Sequence, residues 1–366
     1  MKTNYAALTP VQKIVWGRDV WAAARDGMFI KRFIGSSENS MIQRITDLTK
    51  TEKGEKAIIQ LVADLIEDGV IGDNEREGME EAMQSYWQEI EIDLMTHSVR
   101  NKGKLADQKT VINFRKLGKS RLSYWLGNRT DQLAILTLSG LSYALRNDGA
   151  PRVDSPFPDL AFATQLTPPS PNRGLMWENG SLKPSDTSQI DANDTLTYKA
   201  VVDSIAWAKE HYVRPLMANG KEYYVLVLRP GSYAQLKKDP DFRDAIVNAM
   251  PRGATNPFFT GATVTLDGAV IHDSRLVYTN RKAANGDRWG AGDVKGTRSL
   301  LCGAQALAMA DLGAPDWEEK EFQYRSQKGI NVDKMLGLLK PQFHSIYDGG
   351  VEDFGVLTID HADTSG

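Results

Sequence analysis

The chain has 366 residues, 41% hydrophobic and 25% charged, with a net charge of −3 at pH 7. That length and balance suit one large domain or two to three smaller ones around a real core, and argue against global disorder. They also argue against a protein that grips nucleic acid tightly through its overall charge. No apolar run approaches 18 residues, so no transmembrane helix is expected, and the single Cys302 rules out an internal disulfide framework or a cysteine-rich zinc site. Met1-Lys2-Thr3-Asn4-Tyr5 lacks the apolar stretch of a signal peptide, which points to the cytoplasm.

Residues 1–51 read as an arm. Val11, Ile14, Val15, Trp21 and Ala22 can share a helical face after Pro10, and Met28-Phe29-Ile30 with Phe33-Ile34 supply further apolar anchors before the break at Gly35-Ser36-Ser37. Trp16 and Trp21 fit ordinary packing or a partner surface. Next comes an outsized hairpin. Lys56 to Leu65 forms its outgoing limb, Asp68 to Glu75 its turn region, and Glu77 to Ala82 a possible short helix. The return limb, Glu89-Ile90-Glu91-Ile92-Asp93-Leu94, alternates charged and apolar residues as a half-buried strand does. Limbs of about 12 residues would project about 40 Å, and a two-stranded ribbon is marginal alone. A neighbouring copy is the natural support.

From Asp107 the period changes. Val111, Phe114, Gly118, Leu122, Trp125, Leu133, Leu136 and Gly140 fall on one stripe, predicting a helix of about 34 residues, about 50 Å long, with Phe114, Leu122, Trp125, Leu133 and Leu136 as its core contacts. Residues 147–194, rich in Pro, Asn, Asp, Ser and Gly, read as a long irregular connection. A second amphipathic helix is expected over 195–211, then a buried strand at Tyr223–Leu228, the turn Arg229-Pro230-Gly231 and a helix opening at Ser232. Further strands are expected at 262–266, 269–272 and 276–279, then a Gly-rich loop over 281–296. Residues 299–312 suit a helix, or a strand plus a helix. Strands at 316–330 and 355–360 complete the chain. The pattern is α+β, without the βαβα rhythm of a dinucleotide-binding sheet.

Charge is unevenly placed. Residues 64–93 hold eleven acids against Arg76, while residues 100–121 hold eight basic side chains against Asp107. Two solvated faces would explain this. So would head-to-tail complementarity, with the acidic residues Asp68, Asp73, Glu75, Glu77, Glu80 and Glu81 of one copy over Arg100, Lys102, Lys104, Lys109, Arg115, Lys116 and Lys119 of the next. Chemistry-bearing motifs are missing: there is no phosphate loop, G-x-S-x-G or HExxH, and His97, His211, His272, His344 and His361 are scattered. No catalytic residue, cofactor or metal is expected.

The stretch Gly72-Asp73-Asn74-Glu75-Arg76-Glu77-Gly78-Met79-Glu80-Glu81-Ala82, with His97-Ser98-Val99-Arg100 and Gly103-Lys104-Leu105-Ala106-Asp107-Gln108-Lys109-Thr110, forms a recognisable pattern. Followed by Trp125-Leu126, Asp131-Gln132 and Leu138-Ser139-Gly140, it resembles the major capsid proteins of tailed bacteriophages, in particular the coat-protein family of N-four-like phages. The sequence departs from that pattern at Lys109, where the family has Arg, and in a looser acidic tip. The resemblance implies the Hong Kong 97-like fold: an N-terminal arm (1–51), an E-loop (52–104), a peripheral domain with a spine helix (105–194), an axial domain (195–312), a peripheral return strand (313–345) and a C-terminal strand and tail (346–366). It implies pentamers and hexamers of an icosahedral head around double-stranded DNA, with Lys116 and Lys119 facing the lumen. Scaffolding, portal and decoration proteins are the implied partners, with no membrane. The chain opens directly on its arm, so a separate scaffolding protein or prior processing is expected. The competing readings are an encapsulin-like nanocompartment shell and a soluble α+β oligomeric enzyme with a dimerisation arm.

Overall fold

The computed structural model describes residues 20, 24, 27–46, 56–62, 69–72, 77, 85–104, 114–249, 264–345 and 349–363. A long helix, Phe114–Ser139, lies between two mixed sheets and packs on strands of both. Its first half buries one face, through Gly118, Leu122 and Leu126, and leaves Tyr124 exposed. Its second half is buried almost all round, from Leu133 to Ser139. The polar residues in this dry half are satisfied locally: Thr130, Thr137 and Ser139 donate back to the carbonyls of Leu126, Leu133 and Ile135. Leu122, Leu133 and Leu136 are fully buried, whereas Phe114 and Trp125 are half-buried at the edge of the same core.

The helix stops at Gly140, whose φ of +64° suits the left-handed residue after a helix. Gly140 N–H donates to the Thr137 carbonyl and Leu141 N–H to that of Leu136. A Cβ at position 140 would lie 2.5 Å from the Thr167 carbonyl oxygen. The Arg298 guanidinium closes the helix end, donating to the Ser139 carbonyl at 2.9 Å while forking onto Asp360 at 2.7 and 2.8 Å.

The six-stranded sheet is organised by one 13-residue strand, Gln327–Leu339. One edge pairs with Asp93–Arg100; the other pairs with Asp316–Phe322 and then with Leu307–Asp311, beyond which lie Ile42–Ile45 and Ile34–Gly35 of the arm. The eight-stranded sheet runs Val264–Leu266, Ala269–Asp273, Lys221–Leu228, Gly296–Cys302, Val356–Ala362, Gly174–Glu178 and Ser181–Pro184, with Leu216–Ala218 also on Lys221–Leu228. Its far face is covered by helices Tyr198–Glu210 and Pro230–Lys238 and by Phe242 of Pro240–Ala249, forming a second core with Leu226, Leu301 and Ile359.

Several expectations need correction. The region 147–194 contains a hairpin, Gly174–Glu178 with Ser181–Pro184, turned by Asn179-Gly180 with both residues at positive φ. Residues 276–279 make one isolated bridge, Thr279 to Thr297, and no strand; Arg229 takes up the carbonyls of Arg275 and Val277 instead. The apolar run 299–312 is two strands and no helix, because the chain turns at Gly303, where a side chain would run into the Arg214 carbonyl. Residues 316–330 are a hairpin, not one strand. Residues 174–184 and 356–362 sit with the second sheet, and 307–311 with the first.

Candidate assembly surface

The hairpin read from sequence is present as an isolated two-stranded ribbon, Lys56–Val62 against Ser85–Glu91, in register from Lys56↔Glu91 to Val62↔Ser85. Alternation divides its faces. Ala57, Ile59 and Ile90 point inward and are buried with Ile45, Ala308, Ala310, Leu339 and Phe343. Ile58 and Trp87 point outward and are 45% and 60% exposed. Inner-face packing is close: a side chain at Gly337 would run into the Glu91 carbonyl. The ribbon's root is therefore supported by its own subunit, which corrects the expectation that only a neighbour could hold it. Among the described residues nothing covers the outer face.

The return limb ends sooner than its alternation suggests. Ile92 breaks the ladder, and Asp93–Arg100 leaves the ribbon to pair with Gln327–Leu339. The limb's free edge is closed by one side chain. Gln165 Nε2 donates to the Glu89 carbonyl at 2.9 Å, and its Oε1 accepts from Glu91 N–H at 3.0 Å, imitating another strand. At the far end Gly69 and Gly72 adopt φ of +70° and +71°, and Ile71 is 81% exposed.

Of the acidic tip residues, Glu77 is described and exposed; Asp68, Asp73, Glu75, Glu80 and Glu81 lie outside the described residues, as does Lys109. The described basic residues are not brought into one patch. Arg115 forks onto Glu319, with Nε donating at 2.6 Å. The Arg100 guanidinium lies 4.2 Å from the Phe322 ring centroid and donates to Gln327 Oε1. Both are thus engaged by the outer hairpin of the six-stranded sheet. Lys102 and Lys104 are exposed nearby. Lys116 and Lys119 line a separate cleft of about 830 Å³ between the long helix and the arm.

The arm is seated on that helix. Val20, Ala24 and Met28 are buried, and Gly127 makes room for them: a Cβ there would lie 2.7 Å from the Ala24 carbonyl oxygen. Asp131 receives the N–H groups of Phe29 at 2.7 Å and Ile30 at 3.2 Å. Burial pushes the Asp131 carboxyl up to about 6, against the pull of those two hydrogen bonds and Arg32. The predicted arm residues Val11, Ile14, Val15, Trp16, Trp21 and Ala22 lie outside the described residues.

Sequence reasoning missed buried charges that lock the strands. Lys334 pairs with Asp311, which also meets Arg44 at 2.8 Å. Lys340 donates to Asp353 at 2.8 Å and to the Pro168 carbonyl at 3.1 Å. Each lysine is made buriable by an acid on another strand, 23 and 13 residues away, which no local pattern reports. Among the described residues no group of three or more His, Cys, Asp or Glu could hold a metal ion. Cys302 is fully buried in its strand, and that burial pushes its thiol pKa far up.

A family model described as phage capsid protein matches residues 4–364. The major capsid protein of Pseudomonas phage KPP25 is 49% identical over 363 residues, covering 98% of this chain and 96% of that one. Among solved structures, the capsid of Ralstonia phage GP4 superposes with a TM-score of 0.76 at 24% identity, covering 92% of each chain. The cyanophage Pam1 capsid gives 0.72 at 20% identity, covering 100% of this chain and 96% of that one. With the ribbon, long helix and two sheets in place, the chain belongs to the phage capsid protein family, as a structural capsid subunit with the Hong Kong 97-like α+β fold.

Proposed function

We propose that this chain is the major capsid subunit of a tailed-phage head, self-assembling into pentamers and hexamers of an icosahedral shell around double-stranded DNA. The observation that carries this reading is the ribbon's two-faced character: closed on its own subunit on one side, with Ile58 and Trp87 open on the other. A surface that meets a different surface on the next copy makes heterologous contacts, which close into rings and shells. Individually weak contacts suffice, because a closed shell multiplies them.

In this reading the ribbon up to Glu91 is the E-loop, the six-stranded sheet and long helix form the peripheral domain, and the eight-stranded sheet forms the axial domain. The arm reaches along the spine helix. The acidic tip guides registry over a basic neighbour, and such surface charges contribute about 0–1 kcal/mol each. Scaffolding, portal and decoration proteins complete the head; contacts with the DNA are weak and non-specific. The subunit is made in the host cytoplasm and ends in the virion, and its role is structural, without catalysis. Deleting residues 66–82 tests this. Circular dichroism should report a folded subunit, and negative-stain microscopy should find no closed shells. Normal shells from the deletion variant would overturn the proposal.

A further inference from the structure

A second cleft, of about 680 Å³, opens beside the long helix, and its wall is strongly cationic: Arg129, Arg146, Arg152, Arg229, Arg275 and Lys282 face only Asp148 and Asp154. Some of this charge is already answered. Lys282 and Asp148 pair at 2.8 Å, and Arg229 reaches Asp363 at 4.0 Å. Arg129, Arg146 and Arg152 form no ion pair among the described residues.

Two of these three are held side by side by a neutral group. Gln132 Oε1 accepts from Arg129 Nη1 at 2.9 Å and from Arg152 Nη2 at 3.1 Å, while Gln132 Nε2 donates to Asn128 Oδ1 at 2.6 Å. Arg152 is fixed further by donating Nε–H to the Leu145 carbonyl at 3.0 Å and by the Phe157 ring at 5.0 Å. A glutamate at position 132 would accept from both arginines and cancel a charge, with the Asn128 amide turned to donate to it; the glutamine holds the arginines without adding charge. The crowding is felt: burial, then Arg129 and Arg146, push Arg152 down to about 10 against the pull of Asp148, and burial with Arg146 lowers Arg129 against Tyr124. Asp148, already paired with Lys282, is the carboxylate that acts on Arg146 and Arg152, so the cluster is under-compensated; that destabilises the empty chain, and an entering anion removes the penalty.

We propose that Arg129, Arg146 and Arg152 form a binding site for phosphate groups, through which the chain touches the backbone of duplex nucleic acid. The planar guanidinium fork matches phosphate oxygens in pairs. The cleft is also not an isolated spot. Arg275 and Leu276 line both this cleft and its neighbour, whose wall carries Arg32, Lys116 and Lys119 against Asp131 and Asp273. The cations therefore follow the helix as a strip, which suits a polymer of regularly spaced phosphates. Binding of this kind is independent of sequence and falls steeply with salt. The phosphate chemistry stands on the cleft alone; the nucleic-acid source rests on the shell reading.

The test uses the full-length chain, with inorganic phosphate followed by calorimetry and a labelled duplex of arbitrary sequence followed by anisotropy, between about 50 and 200 mM salt. Gln132→Glu keeps the clamp but fills the charge deficit, so it should weaken both ligands by about tenfold while raising the melting temperature of the empty chain. Arg152→Gln should weaken both similarly, and Lys221→Gln, an equal charge change outside either cleft, should leave both within about twofold. Wild-type affinities in both cleft variants would overturn the site. Phosphate binding without duplex binding would overturn the nucleic-acid assignment. If a peptide of residues 64–84 binds with this variant dependence in place of duplex, the occupant is the acidic segment of a second copy and the phosphate assignment falls. Particle formation is scored on the same samples, so a variant-sensitive cleft without shells would refute the proposed function and not the site.

Discussion

Trp87 offers the sharpest perturbation of the proposed contact. It stands on the ribbon's outer face, opposite Gln60 in register and diagonal to Ile58, and is 60% exposed. A tryptophan side chain presents up to about 250 Å², so roughly 150 Å² is open on the isolated subunit. Covering that area contributes up to about 4 kcal/mol at roughly 25 cal/mol per Å². Ordering and imperfect fit take back part of this, leaving about 2 kcal/mol per ribbon. Each subunit gives one ribbon and receives one, so Trp87→Ser should raise the critical concentration for assembly by about 30-fold. The isolated chain, losing only an exposed ring, should change in stability by less than about 0.5 kcal/mol. Light scattering against concentration reads the first quantity and urea unfolding the second. Assembly of Trp87→Ser at the wild-type concentration would refute the outer-face contact; a large loss of chain stability would show that the ring supports its own subunit instead.

Asp131 should make subunit stability depend on pH. Its carboxyl is lifted from 3.8 to about 6, so the folded chain holds a proton that the unfolded chain has lost between those values. Its contribution to stability is then fullest below about pH 4, falls as pH rises to about 6, and is lower by roughly 3 kcal/mol above it. Asp131→Asn should remove this slope and, after losing about 1 kcal/mol for one unmatched N–H of the arm, gain roughly 2 kcal/mol at pH 7; a slope unchanged in denaturant titrations at pH 4.5 and 7 would contradict the assignment. Gly140→Ala forces a Cβ to within 2.5 Å of the Thr167 carbonyl at a φ of +64°, so a loss of at least about 2 kcal/mol is expected in urea unfolding. Lys340→Met leaves the buried Asp353 carboxylate with only the neutral donors Ser170 N–H and Gln342 Nε2 and should cost about 3–5 kcal/mol, part of it recovered by adding Asp353→Asn, which removes the charge and keeps an acceptor; equal losses in the single and double variants would show that packing, and not the ion pair, holds that strand.

The ribbon's root and the helix from Phe114 onward were legible because each carries a strong period, residues 63–65 of the expected limb and 107–113 of the expected helix lying outside the described residues. In Ala57, Ile59 and Leu61 the inward positions repeat every second residue, and Gly118, Leu122 and Leu126 repeat every fourth. What the period cannot report is a change of partner. Alternation runs unbroken from Glu89 to Leu94, yet the chain leaves one sheet and joins another at Ile92. The hairpin at Asn179-Gly180 was hidden because its first strand, Gly174–Glu178, is buried at nearly every position and does not alternate. The central strand Gln327–Leu339 was cut short because Lys334 reads as a surface residue until Asp311 and Gly313, to which it donates, are placed beside it. The arginine cleft was beyond reach for a related reason: its members run from Arg129 to Lys282, and only the fold gathers them.

The central claim is that the ribbon's open face is completed by another copy of this chain. Cryo-electron microscopy of particles assembled from the purified chain tests it directly. Closed icosahedral shells in which each Trp87 is covered by an adjacent subunit are the expected result. Small discrete oligomers, or shells in which Ile58 and Trp87 still face solvent, would contradict it.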